Sequence, residues 1–290
     1  MIPTQFDYVR ATTLDEAVSL LAANEDAKIL AGGHSLIPAM KLRLAMPQML
    51  IDIGRIKDLS YIREENDQIR IGAMTTHYQI ESSDLLKQLC PLLPECAATI
   101  GDAQVRNCGT IGGSVAHSDP AGDWPAAVIA LRAELIAVGK HGERTIKVDD
   151  FFVDLLTTAL QPDEILREIR IKKTAGPSGQ AYVKMHHPAS GFAVVGVAVS
   201  LGFDDGGKCQ TAGIGITGVS SKAYRAVSSE SALMGRTLDD KAIAEAASQA
   251  AEDIDINGDL FASEDYRRHL VKVYTKRALV AAIERTRTSA

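Results

Sequence analysis

Cysteine is scarce and scattered in this chain: Cys90, Cys96, Cys108 and Cys209 are the four present, and no two of them form a C-x-x-C. That excludes an iron–sulfur run or a thiolate zinc site, and the four read as reduced, mostly buried small hydrophobes. No uninterrupted apolar run reaches the roughly 18 to 20 residues of a membrane span. Positive charge is not in excess either: 31 Lys and Arg against 37 Asp and Glu leave a net charge of -6, where a nucleic-acid binder needs a basic face. The opening Met1-Ile2-Pro3-Thr4-Gln5-Phe6-Asp7 lacks the basic and then apolar regions of a signal peptide. The expected location is cytoplasmic.

What is present is two similar glycine pairs. Ala31-Gly32-Gly33-His34-Ser35 and Thr110-Ile111-Gly112-Gly113-Ser114 each read as a short loop beside β-prone sequence. Glycine lets another group approach the main chain closely, and successive N–H groups in such turns form concavities for anions. Two of them suggest an extended anionic ligand, such as the pyrophosphate of a dinucleotide. Neither pair is a G-x-G-x-x-G fingerprint or a P-loop, so the Rossmann and P-loop readings lose their main support.

With 290 residues, 46% hydrophobic and 23% charged, the chain is long enough for two domains with real cores. Thr13-Leu14-Asp15-Glu16 is a capping-box pattern opening a helix. Strands are expected at Lys28–Ala31, Met49–Ile53, Gln68–Ala73, Leu135–Val138, Thr145–Val148 and Glu164–Ile171. Helices are expected over Pro38–Leu44, from Thr76 onwards, over Pro91–Ile100 and over Trp124–Arg132. Gly176-Pro177-Ser178-Gly179 is the best candidate boundary, dividing the chain into 1–175 and 176–290. Beyond it the apolar run Phe192–Phe203 turns at Asp204-Asp205-Gly206-Gly207 into a hairpin. Helices over Ser228–Met234, Asp239–Asp253 and Ser263–Arg285 close the chain, with Ser263 as an N-cap. Partly segregated strands and helices point to an α+β fold.

At the level of motifs the sequence resembles the FAD-binding medium subunits of molybdenum hydroxylases, the family of the carbon monoxide dehydrogenase medium chain and the xanthine dehydrogenase FAD-binding subunit. Ala31-Gly32-Gly33-His34-Ser35-Leu36 with Lys41-Leu42-Arg43 looks like the first flavin loop, and Val105-Arg106-Asn107-Cys108-Gly109-Thr110-Ile111-Gly112-Gly113-Ser114 like the second. Asp119-Pro120-Ala121-Gly122-Asp123 and the opening Ile2-Pro3 with Phe6-Asp7-Tyr8 continue the likeness over nearly the whole chain.

The resemblance implies an FAD-binding module of the vanillyl-alcohol-oxidase (PCMH) type, followed by a smaller α/β C-terminal domain with an antiparallel sheet and helices. It places Ile29, Leu30, Ala31, Gly32, Gly33, His34, Ser35 and Leu36, together with Thr110, Ile111, Gly112, Gly113 and Ser114, around the pyrophosphate and adjoining groups. Ile100 would pack against FAD, Asp123 would hold a cofactor hydroxyl, and Leu166 and Lys184 would lie near the isoalloxazine. It further implies a large molybdenum-cofactor subunit and a small 2Fe–2S subunit as partners, in a dimer of heterotrimers. No catalytic acid–base pair and no metal ligand is assigned to this chain, because a flavin carries the redox chemistry itself.

The stretch Lys184–Phe192 departs from the more basic one of carbon monoxide dehydrogenases, which leaves the substrate open. Phe192 falls where an aromatic ring can shield a flavin. Adjacent His186 and His187 point opposite ways if they lie on a strand, which argues against a metal pair. Two other readings stay open here: a flavin-free assembly subunit, and a free-standing FAD oxidase acting on a small molecule.

Overall fold

Hydroxyl and carboxylate caps start most of the helices. The computed structural model describes residues 1–252 and 254–288. The chain opens with β1 (Asp7–Arg10), α1 (Leu14–Ala23), β2 (Ala27–Leu30), α2 (Leu36–Lys41) and β3 (Met49–Asp52). Then come β4 (Ile62–Glu65) and β5 (Gln68–Gly72). Six helices follow in succession: α3 (His77–Ser82), α4 (Asp84–Leu89), α5 (Leu92–Ala98), α6 (Ala103–Cys108), α7 (Ile111–His117) and α8 (Asp123–Ala130). The hairpin β6 (Glu134–Gly139) and β7 (Gly142–Lys147), the short β8 (Phe152–Asp154) and β9 (Thr157–Thr158), and β10 (Ile165–Lys172) complete this half. Next are β11 (Ser178–His186), β12 (Ala193–Phe203), β13 (Cys209–Thr217) and β14 (Tyr224–Arg225), then α9 (Val227–Leu233), α10 (Asp240–Gln249) and α11 (Glu264–Thr288).

Thr13 caps α1 by accepting from the Glu16 amide at 3.1 Å. The expected box closes one residue early, because the Glu16 carboxylate takes the amide of Thr12 at 2.7 Å rather than that of Thr13. Thr76 and Gln79 form a complete box at the head of α3. Ser263 accepts from the Tyr266 amide at 3.3 Å before α11. The expected helix 239–253 ends at Gln249; Asp253, like Ser289 and Ala290, lies outside the described residues.

The strands form a parallel sheet ordered β1-β3-β2, a five-stranded antiparallel sheet ordered β4-β5-β10-β6-β7, and a four-stranded antiparallel sheet ordered β11-β12-β13-β14. With α3 to α8 gathered between β5 and β6, the α+β expectation holds. Sheet β11–β14 packs α9, α10 and α11 around its own core of Val197, Ile214, Ile216, Leu279 and neighbours. The first half has its core on Ile69, Leu93, Trp124, Phe151 and Ile169.

Helix α8 is buried along its entire length and lies against β13. Gly213 and Gly215 allow this: a Cβ on either would stand 2.0 Å from the carbonyl oxygen of Ala130 or Ala126. Together with Gly218 these glycines spell G-x-G-x-x-G, but Gly213 and Gly215 sit in an antiparallel strand packed on a helix and Gly218 just past its end, not in a strand–turn–helix unit.

Candidate functional site

Three segments distant in sequence meet around one cleft of about 580 Å³, within the size range of small-molecule sites. They are the turn from β2 into α2, the residues around the start of α7, and the stretch 156–166 that enters β10. Phe192, just before β12 and 47% exposed, stands on its wall as well.

In the first turn Gly33 has φ +72°, a conformation that favours glycine. Gly32 is required for a different reason. A Cβ there would stand 2.2 Å from the Cys108 carbonyl oxygen and 2.8 Å from the Gly109 Cα. His34 is satisfied locally, its Nδ1 lying 2.9 Å from the Gly32 carbonyl. The amides of Gly32, Gly33, His34 and Ser35 donate to no protein acceptor among the described residues. Four consecutive free N–H groups beside a cleft are a nest for an anion.

The second pair is not a loop, which corrects the expectation: Gly112 and Gly113 form the first turn of α7. Thr110 caps that helix, its Oγ1 accepting from Gly113 N at 3.2 Å. The amides of Ile111, Gly112 and Ser114 donate to Thr75 O at 3.0 Å, Ala73 O at 2.9 Å and Thr110 O at 3.1 Å. These donors are already engaged inside the protein, so the two pairs do not offer matching sets of free amides. Gly112 makes room for strand-end residue Ala73, whose Cβ a side chain would meet at 2.4 Å. Gly113 keeps the cleft wall bare, with Thr110 and Ser114 beside it.

Of the remaining expected residues, Ile29, Ala31, Leu36, Ile100 and Leu166 line the cleft. Ile100 is held by Arg106, whose guanidinium donates to its carbonyl at 3.2 Å and to Glu81 at 2.7 Å. Leu30 and Ile111 are not on the wall. Leu30 packs beneath the turn near Gly33, and Ile111 is fully buried in the core. Strand alternation turns Leu30 away from the side that Ile29 and Ala31 present.

Lys184 also lies off the wall. Its Nζ donates to Asp123 Oδ2 at 2.8 Å and to the Thr99 carbonyl at 3.2 Å, with the two charged side chains 1% and 6% exposed. The Tyr182 hydroxyl donates to the other Asp123 oxygen. Burial raises the Asp123 carboxyl pKa, while Lys184 and Tyr182 pull it back down. Asp123 is the first residue of α8 and reaches the cleft, yet both its oxygens are engaged; the N-cap is Gly122, without a side-chain bond.

Sequence reasoning missed His77 and the role of Ser118. Buried Ser118 sits at φ +54° and turns the chain out of α7; just beyond it, Asp119 lines the cleft and accepts from Ala121 N at 2.9 Å. His77 is the first residue of α3, and its Nδ1 accepts from the indole N–H of Trp124 at 3.0 Å. Burial, with His34 and Arg106 nearby, lowers its pKa to about 4. The box Thr76-x-x-Gln79 was the available signal, since it fixes the start of α3. His186 ends β11, and His187 accepts at Nδ1 from the amides of Ala189 and Ser190.

Residues 4–173 match the family described as the FAD binding domain in molybdopterin dehydrogenase. The chain belongs to that family. Residues 180–282 match the CO dehydrogenase flavoprotein C-terminal domain. The carbon monoxide dehydrogenase medium chain of Hydrogenophaga pseudoflava is 41% identical over 97% of this chain and 98% of its own length. Subunit alpha of the 6-hydroxypseudooxynicotine dehydrogenase complex of Paenarthrobacter nicotinovorans is 36% identical over 99% of this chain and 97% of its own. A solved carbon monoxide dehydrogenase from H. pseudoflava, lacking the Mo-pyranopterin moiety, superposes with TM-score 0.95 at 42% identity, covering 98% of this chain and 99% of that one. As a member of this FAD-binding family the chain is an oxidoreductase subunit, and FAD is its cofactor. No described helix is long and apolar enough to cross a membrane.

The residues present fit FAD. Free amides and the Ser35, Thr110 and Ser114 hydroxyls suit a diphosphate, and Ile29, Ile53, Ile100, Ile165 and Leu166 supply apolar wall for the rings.

Proposed function

We propose that this chain is the electron-transfer subunit of a heteromeric molybdenum hydroxylase. It takes electrons from the 2Fe–2S clusters of a small subunit, while substrate is oxidised at a molybdenum cofactor on a large subunit. The assembly is a dimer of heterotrimers in the cytoplasm, and this chain divides near residue 175. The observation that carries the reading is the row of free amides at Gly32 to Ser35 on the wall of an apolar cleft, in a chain of the FAD-binding family.

When bound, FAD accepts electrons and passes them to an external acceptor. The protein's own part is to bind and orient. The Gly32–Ser35 amides hold the diphosphate, and Thr110 and Ser114 add hydroxyls from the opposite segment. Ile29, Ile100 and Leu166 exclude water from the ring systems. Asp123, Tyr182 and Lys184 form a fixed, paired unit behind the cleft that keeps α8 in place.

The purified full chain should be yellow, with flavin absorbance. Reduction of that flavin by the substrate of the complex should stay slow until both the molybdenum and the iron–sulfur partners are added. A correctly folded chain that is colourless and refuses added FAD overturns the reading, and rapid reduction by substrate alone would favour a free-standing oxidase instead.

A further inference from the structure

Gly109 has φ -62° and ψ 141°, angles open to any residue. Its lack of a side chain serves space instead. A Cβ at 109 would lie 2.6 Å from His77 Nε2, on the other side of which the imidazole is held by Trp124. Gly109 is also the residue whose Cα lies 2.8 Å from where a Gly32 Cβ would be. Two glycines in contact therefore leave one ring nitrogen uncovered next to the anion-binding turn.

The protonation pattern of that ring is dictated by its partner. Trp124 Nε1 is a donor only, so His77 Nδ1 must accept and the proton of the neutral imidazole resides on Nε2. Nε2 has no protein acceptor, and it is not among the polar atoms sealed from solvent. His77 as a whole is 5% exposed and lines the cleft. A donor that opens onto the cleft without a protein acceptor is left for water or a ligand to complete.

From this the structure assigns His77 as a binding residue that donates its Nε2–H to a diphosphate oxygen of the bound dinucleotide, with Trp124 as the positioning residue that fixes the tautomer. The assignment rests on the flavin reading above. Its chemistry differs from that of a lysine or arginine, since a neutral donor adds directionality without adding charge next to the redox group.

The test uses the full-length chain stripped of flavin and titrated with FAD and, separately, with ADP, which carries the diphosphate but no isoalloxazine. His77→Phe should weaken both by roughly 10- to 100-fold, the range for a hydrogen bond to a charged group. Replacing both members, His77→Phe with Trp124→Phe, leaves no orphaned indole donor and should give the same loss. His77→Gln, whose amide nitrogen reaches the place of Nε2, should recover most of the affinity. In the wild-type chain, the ¹⁵N-resolved His77 Nε2–H resonance should move downfield on adding ADP.

Unchanged FAD affinity in His77→Phe overturns the assignment. So does a loss confined to FAD with ADP unaffected, which would put the contact on the ring, and so does an Nε2–H signal indifferent to ADP. Wild-type chain that fails to bind FAD at all would instead overturn the flavin reading.

Discussion

The backbone of Gly32 rests on the carbonyl of Cys108, leaving 2.2 Å where a Cβ would have to fit. That contact joins the β2–α2 turn to the segment leading into α7, and Gly32 and Gly109 both line the cleft. Gly32→Ala should destabilise the whole chain by about 3 kcal/mol, as overpacking against rigid main chain does, lowering the thermal midpoint even without flavin. Gly33→Ala meets no backbone atom, and its cost is the left-handed φ of +72°, about 1 kcal/mol.

Valine at Gly33 or at Gly113 should abolish FAD binding, because both glycines border the cleft. The two differ in backbone strain: Gly33 has a left-handed φ, whereas a Cβ at Gly113 meets the Thr110 hydroxyl at 2.8 Å and the Ala31 Cβ at 3.6 Å. Retained yellow holoprotein after gel filtration would remove these residues from the site.

Lys184→Met should cost about 3–5 kcal/mol in chemical denaturation, since it strands the buried Asp123 carboxylate without its cation. Adding Asp123→Asn to Lys184→Met should restore a large part of that loss. Equal destabilisation by the single and double variants would show that packing, not charge, dominates there.

His77 makes stability depend on pH. Its folded pKa of about 4 lies below the ordinary 6.5, so between those values the unfolded chain binds the extra proton. The contribution is complete above pH 6.5 and lost as pH falls towards 4, about 3 kcal/mol in all. In His77→Phe the slope of unfolding free energy over pH 4 to 6.5 should flatten.

Phe192→Ala should open the edge of the cleft where this half-exposed ring stands. Iodide should then quench the bound flavin's fluorescence more strongly than in wild type, with FAD affinity falling severalfold at most. Unaltered quenching would place Phe192 away from the isoalloxazine.

Much of this was legible beforehand, for definite reasons. Alternation exposed β5 and β10, and the apolar run with its Asp-Gly turn exposed the β12–β13 hairpin. The glycine pairs marked the cleft because close approach leaves a trace in composition. The sequence could not reveal which glycine amides were already engaged: Ile111 to Ser114 look like Gly32 to Ser35 until Ala73, Thr75 and Thr110 take their donors. The ion pair of Lys184 was hidden for the same reason, since its partner Asp123 lies 61 residues away. His77 escaped notice because its role depends on Trp124, 47 positions distant.

The Asp123–Lys184 pair has a consequence for dissection of the chain. Asp123 stands at the head of α8 in the first half, and Lys184 comes from β11 in the second. Truncation after residue 175 would remove Lys184 and Tyr182, the side-chain partners of Asp123, together with the β13 strand that packs on α8 beside the cleft. The C-terminal half is therefore a buttress for the cleft, and the first half expressed alone should recover little of the intact chain's grip on its cofactor.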